Sequence, residues 1–552
     1  MTKRTVLLSL SLACGLGWLT LSVNGADGRW RIVGWNDLGM HCMDGKDYSI
    51  YSILPPYNNI HAQVVNPAGK LVTTGSEVKL TFEAVADATG SINKTSAGKT
   101  NFWQYVRPLF GLSIATDVGL TGVRMPGRTN KPQPMKYEAA HRWFSAEGIP
   151  ISPYDDAGKK NYYPMLRIKA VSAATGALLA STDIVVPVSD EMDCSSCHRS
   201  GSPNTARPAS GWSYLSDPER DYKMNVLKLH DEKNAGAAYT ALLLKAGYNP
   251  AGLVASVNVN RTPVLCAKCH LSNALGVGTV GVSPLTTAIH RRHANVLDPV
   301  NNMLLDASEN RSSCYRCHPG SETKCLRGAM GNATESDGAA LMQCQSCHGN
   351  MTAVGNPART GWLDQPNCQS CHTGTAVRNN GRIRYTTSLE ASGAMRVAVD
   401  NTFATNPNTP AAGLSLYRFS AGHGGLQCEA CHGATHAEYP SSHSNDNVQN
   451  IRLQGYAGTL AECGVCHAAI PETVTGGPHG LHPLGAFWID KHKDPGKKNP
   501  ASCQACHGLD YRGTVLSATL TSRSFRHDGR TITLPKGTQV GCYNCHNGPR
   551  GE

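Results

Sequence analysis

The sequence predicts a two-part chain: an N-terminal all-β, sandwich-like domain, then a loop-rich, mostly short-helical domain with little regular secondary structure. Three observations carry this reading. β-branched, alternating segments bounded by turn signals are confined to the first 190 or so of 552 residues. Aromatic residues make up only 6% of the chain, while 56 Gly and 31 Pro punctuate it, which favours loops over a large regular core. A cysteine-bearing motif recurs nine times, only beyond residue 190.

The elements follow in order. Lys3 and Arg4 precede an apolar run over residues 6–21, and the short segment Val23, Asn24 and Gly25 offers a cleavage point before Ala26. Residues 1–25 therefore read as a secretory signal peptide. Cys14 has the position of a lipidated cysteine, but the apolar run continues past it, which favours plain cleavage. No other stretch approaches the ~18 consecutive apolar residues that span a bilayer, so the chain is expected to be secreted and not membrane-spanning. Residues 26–190 form the expected β domain, with strands over 31–35, 61–66, 79–86, 165–172 and 178–188. Residues 191–552 form the second domain, with helices expected over 218–229 and 236–246 and short helices around each motif.

The motif is CxxCH. It occurs at Cys194/Cys197/His198, Cys266/Cys269/His270, Cys314/Cys317/His318, Cys344/Cys347/His348, Cys368/Cys371/His372, Cys428/Cys431/His432, Cys463/Cys466/His467, Cys503/Cys506/His507 and Cys542/Cys545/His546. Random placement of 21 Cys and 22 His would give roughly 0.03 such motifs. Two cysteines three apart lie on one face of a helical turn, where each sulfur can form a thioether to a haem vinyl group. The adjacent His is then aimed at the iron. A zinc site would instead need two CxxC pairs per metal and no regular adjacent His. Nine covalently attached c-type haems are the implied cofactors. About 40 residues per haem is too few to bury each in its own domain, so the haems must share one core, with the closely spaced motifs at 314, 344 and 368 as near neighbours.

The sixth position of each iron separates an electron carrier from an enzyme. Ten further histidines lie in the motif-bearing part: His230, His290, His293, His423, His436, His443, His479, His482, His492 and His527. Ten candidates suffice to close nine irons. His290/His293 and His479/His482 sit three apart, so each pair, if helical, can splay toward two adjacent haems. His423 and His436 flank their own motif at Cys428. No free His lies between His318 and His423, so the haems at Cys314, Cys344 and Cys368 must borrow from His290, His293, His423 or the N-terminal domain. Met303, Met330, Met342, Met351 and Met395 are alternatives there, though Met more commonly fills a core.

In the N-terminal part, His41 lies in a cluster of soft ligands, Met40-His41-Cys42-Met43, that lacks the second His of a blue-copper site. A structural role for it, and for His61 and His141, is favoured, with distal haem ligation by His41 or His61 the alternative. Cys42 and Cys325 remain outside the motifs and the leader; in an oxidising compartment they can form one disulfide joining the two parts. The formal charge of +11 would suggest an anionic partner. Nine haems with two propionates each bring the mature holoprotein to about −9, so nucleic-acid binding is not expected.

Nine CxxCH motifs with spare histidines behind a signal peptide resemble the periplasmic and outer-surface multihaem cytochromes of metal-reducing and other respiring bacteria. The segment Gly34-Trp35-Asn36-Asp37-Leu38-Gly39-Met40-His41-Cys42-Met43-Asp44, continuing through Ile53-Leu54-Pro55-Pro56-Tyr57-Asn58, is similar to their N-terminal domains. The resemblance implies bis-histidine haems in parallel and T-shaped stacks, and electron transfer to partner proteins, an extracellular acceptor or a filament of like subunits. The first expectation is thus an electron carrier, not an enzyme, acting in the periplasm or at the cell surface. The alternative is a multihaem oxidoreductase of the nitrite or hydroxylamine type, with one open iron; the CxxCK motif of some such enzymes is absent.

Overall fold

The computed structural model describes residues 29–359, 368–372, 375, 385–396 and 417–549. The expected signal peptide and Cys14 lie outside the described residues.

The N-terminal part is built on two antiparallel four-stranded sheets. One runs, in spatial order, Arg31–Asn36, Asn58–Val65, Trp143–Ile149 and Lys136–Glu138. The other runs Leu178–Val185, Met165–Ser172, Val78–Val85 and Gln133–Pro134. Val78–Val85 shows why these residues make strands: Val78, Leu80, Phe82 and Ala84 point inward and are buried, while the intervening residues are more exposed, the period-two pattern of a half-buried strand. They share one apolar core with Ile32, Ile60 and Phe144 of the first sheet and Leu166 and Ile168 of the second.

The part is not purely β. A helix, Phe102–Phe110, buries Phe102, Val106 and Leu109 against the same core and ends at Gly111, whose φ of 72° lets its N–H reach the Arg107 carbonyl. Its aromatics and internal Pro108 hide it from propensity, and burial of its apolar stripe outweighs them.

Beyond residue 190, regular structure shrinks to short helices and loops. The longest helix, Pro218–Asn234, starts with Asp217 accepting from the Arg220 N–H and a proline in its first turn. Ala237–Lys245 follows it. The two parts are laced together. Val264–Leu265 pairs in parallel with Tyr51–Ser52, and Gln449 exchanges hydrogen bonds of 2.8 and 3.0 Å with the backbone of Gly34. The Arg31 guanidinium donates to the Val465 carbonyl inside the seventh motif. Among the described residues, no helix is long and apolar enough to cross a membrane.

Apolar packing is unevenly shared. The large core and a second cluster around Tyr51, Tyr222, Leu243 and Val264 end at Ala267. The third joins Val33, Trp35 and Trp143 to Ala430 of the sixth motif. Among the described residues beyond 305, no apolar cluster is self-contained.

Candidate cofactor-attachment centres

Each motif forms a single helical turn or lies at one, for example Ser195–His198, Cys344–His348, Cys428–His432 and Gln504–His507. In most of them the N–H of the motif histidine donates to the carbonyl of the first cysteine, at 2.8–3.0 Å for His198, His270, His318, His372, His467 and His546. The turn sets both sulfurs and the imidazole on one side.

Among the described residues, eight motif histidines face a second histidine across a nearly constant gap. The pairs are His198 with His293 at 6.3 Å between ring centres, His270 with His230 at 6.3 Å, His318 with His290 at 6.1 Å and His348 with His436 at 6.0 Å. His467 faces His423 at 6.0 Å, His432 faces His479 at 5.8 Å, His507 faces His482 at 6.1 Å and His546 faces His492 at 6.0 Å. A first-row metal sits about 2.0 Å from an imidazole nitrogen whose ring centre lies about 1.1 Å further back, so two trans imidazoles on one metal have centres about 6.2 Å apart. The observed gaps match that span. Among the described residues no group of three or more His, Cys, Asp or Glu gathers to hold a metal; each pair could offer two imidazole nitrogens to a metal whose other ligands come from a bound group. The residues fit a haem at each of these eight centres. His372, of the fifth motif, is not in one of these pairs.

In several of the pairs the outward nitrogen is tied down, whereas the buried Nδ1 of His198 has no hydrogen-bond partner among the described residues. Backbone carbonyls accept from Nδ1 of His290 (Thr286, 2.8 Å), His293 (Ile289, 2.8 Å), His270 (Ser283, 2.8 Å) and His482 (Pro483, 2.7 Å). Nδ1 of His492, His507 and His546 is bonded likewise to Ile489, Val540 and Gly548. A carbonyl can only accept, so Nδ1 carries the proton and the bare Nε2 is the one free to ligate. At His230 the partner is the Tyr239 hydroxyl at 3.1 Å, which itself donates to Asp231 at 2.6 Å.

Burial keeps these rings in the ligating form. Desolvation pushes His198, His318, His432 and His482 down to about 4 and His348 to about 3, so each is neutral at physiological pH. Four of the motif thiols move the other way: burial pushes Cys266, Cys317, Cys347 and Cys431 up to about 12.

Two distal histidines sit in left-handed backbone, His436 at φ 72° and His479 at φ 54°, a conformation costing roughly 1–3 kcal/mol for a non-glycine residue. His436 is held there by the N–H groups of Arg327 and Gly328 on its carbonyl, each at 2.8 Å, and by the Glu438 carboxylate on its own N–H. Arg327 is anchored by a doubly hydrogen-bonded, buried ion pair with Asp446.

Several sequence expectations are redirected. His436 faces His348 of the fourth motif and His423 faces His467 of the seventh, so neither serves its own motif at Cys428. With His290 on His318, the motifs at Cys314 and Cys344 need no methionine. The His290/His293 pair lies on the helix Leu285–His293 as expected, whereas His479 and His482 splay through a kinked turn at Pro478–Gly480 rather than a helix. His443 stacks on Tyr163 at 3.6 Å, and His527 lies in the strand Arg523–His527 beside Asp528; the structure brings neither to a motif histidine. In the N-terminal part, His41 bonds Asp37 at 2.6 Å, His61 stacks on Trp143 at 4.2 Å, and His141 stacks on Trp143 and Phe419. Cys42 and Cys325 are free thiols within electrostatic reach of one another. Tyr239, Asp231 and the carbonyls that orient the imidazoles escaped sequence reading, because such groups carry no motif. Comparison with protein-family models, curated proteins and solved structures gives no match.

Proposed function

We propose that the chain is a multihaem c-type cytochrome that binds nine haems through its CxxCH motifs and relays single electrons between redox partners outside the cytoplasm. The observation that carries this reading is the set of eight histidine pairs at 5.8–6.3 Å, each with one member in a CxxCH turn. A bound haem supplies a one-electron iron couple; the protein sets its environment. The cysteines fix each group by thioether bonds. Each pair of imidazoles would hold the iron of a bound haem, which favours electron transfer over small-molecule chemistry there. The Nδ1 anchors hold the rings still, so little rearrangement accompanies a change of oxidation state. The Tyr239–Asp231 relay places partial negative charge behind His230 and favours the oxidised state there.

The test combines haem counting with ligand removal. The holoprotein should carry nine haems by mass and give low-spin resonance signals, of the large-g type where the rings are near perpendicular, as at His230/His270 (90°), and rhombic where they are near parallel, as at His482/His507 (9°). His436→Ala should add one carbon-monoxide-binding haem per molecule; His443→Ala should add none. If the wild-type protein binds no haem, or gains a carbon monoxide site on loss of His443 but not of His436, the assignment fails.

A further inference from the structure

The numbering of the motifs along the chain differs from their arrangement in space, and the contacts between motifs fix that arrangement. The first and second meet on one surface. Cys194 and Cys266 both pack on the cluster of Tyr51, Tyr222 and Val264, and the Tyr51 hydroxyl lies 3.8 Å from the Cys194 sulfur. The strand beside Tyr51 leads straight into Cys266. The first and third share a helix: Leu285–His293 gives His293 to His198 and His290 to His318. Arg316 of the third motif binds Asp298 at 2.7 Å just beyond that helix, and Cys317 lies within electrostatic reach of Cys194 and Cys197.

The next steps are direct. Gln345, inside the fourth motif, donates to the Asn310 carbonyl at 3.0 Å and the Ser313 hydroxyl at 3.3 Å beside the third motif. One segment binds the fourth and fifth together: the Tyr385 N–H donates to Cys371 and the Ser388 N–H to Ser346. His436, on the segment just beyond the sixth motif, faces His348 of the fourth at 6.0 Å, and Cys368 of the fifth lies in electrostatic reach of Cys428, so the fourth and the fifth both border the sixth.

At the sixth the path divides. On one side the Leu460 N–H, three residues ahead of Cys463, donates to the Cys431 carbonyl at 3.0 Å. On the other, His479 faces His432 while His482, three residues on, faces His507, the same sharing of one ligand segment that joins the first and third. The eighth and ninth then meet through the His507 bond to Val540 at 2.6 Å and the Cys542 N–H bond to Tyr511 at 2.9 Å.

We infer that the nine attachment sites stand in one file, ordered second, first, third, fourth, whose fourth member borders both the fifth and the sixth, and which forks at the sixth into the seventh on one arm and the eighth and ninth on the other. This rests on the reading of the motifs as haem sites. Because tunnelling falls off exponentially with distance, an electron entering beside the second site must pass the first before the third, each step oxidising one iron as it reduces the next, with no bond made or broken. Entry and exit for redox partners then lie at the second, seventh and ninth sites. The second site has an exposed rim, with Leu271, Val277 and Val280 all largely solvent-accessible.

The test is the iron arrangement of the haem-loaded protein, determined by electron cryomicroscopy or from the anomalous signal of iron in crystals. The nearest neighbours should be first–second, first–third, third–fourth, fourth–fifth, fourth–sixth, sixth–seventh, sixth–eighth and eighth–ninth. An iron order in which the second contacts the third with the first lying off the file, or in which the eighth is reached through the seventh and not the sixth, overturns the inference. Haem content measured on the same sample separates the two claims. Fewer than nine haems defeats the underlying reading, whereas nine haems in a different order defeats only the arrangement.

Discussion

At the scale of single residues, the sites depend on imidazoles kept neutral in a dry interior, and His61 shows what that costs where no metal is in reach. It is 4% exposed, stacks on Trp143, leaves Nδ1 without a hydrogen bond, and burial pushes its pKa down to about 4. The unfolded chain titrates His61 near 6.5, so between pH 6.5 and 4 it binds more protons than the folded one. Stability from this group is therefore complete above pH 6.5 and is lost progressively toward pH 4, by about 3 kcal/mol. His61→Phe keeps a ring against Trp143 and removes the titration. Urea midpoints across pH 4 to 7 should fall less steeply for the variant than for the wild type; parallel curves would show that His61 is not the source. The identity of His61 as a packing residue was only half visible in the sequence, since a lone histidine reads the same whether it stacks or ligates.

At the scale of elements, the one-turn helices are short because the motif itself dictates them, whereas the helix Leu285–His293 does a job its sequence announces. His290 and His293 lie three apart, so they leave the helix about 60° apart around its axis and reach two different motif turns. Each is oriented by the carbonyl four residues back, Thr286 and Ile289, so the helix is both scaffold and clamp. Ile289→Pro removes a helical N–H and sets the ring against the preceding turn, costing about 3 kcal/mol locally. Both ligands should then be lost together: two carbon-monoxide-binding haems per molecule, against one for His290→Ala. Equal numbers for the two variants would mean that the two imidazoles are held independently of the helix. The spacing of HRRH made this pair legible, and strands such as Met165–Ser172 were readable from alternation to the residue. The strand Trp143–Ile149 was not, because Glu147 and Gly148 interrupt its pattern, and the kinked turn of His479 was not, because it rests on backbone strain rather than composition.

At the scale of the whole molecule, the two parts are stabilised differently. The N-terminal sheets and the helix Pro218–Asn234 bury large apolar side chains in clusters that run to Ala267, and such burial yields roughly 25 cal/mol per Å². Beyond residue 305 the described chain buries scattered apolar groups, Met342, Tyr439, Val465 and Leu534 with small ones such as Ala430, Ala434 and Ala437, too few to offset the conformational entropy of more than 200 ordered positions. The second part was legible as loop-rich and short-helical from its low aromatic content and its many Gly and Pro. Which histidine meets which motif was not legible, because the pairs join residues as far apart as His198 and His293. The cofactors themselves should therefore act as the missing core. Protein made without haem attachment should keep its β-sheet signal and yield, on limited proteolysis, a resistant fragment running from about residue 29 to just beyond Leu265, while the remainder is digested; haem-loaded protein should resist throughout the described span. If the haem-free chain resists as far as residue 549, the histidine-lined gaps would close without a cofactor, and the second part would owe its stability to polar contacts such as the Arg327–Asp446 pair.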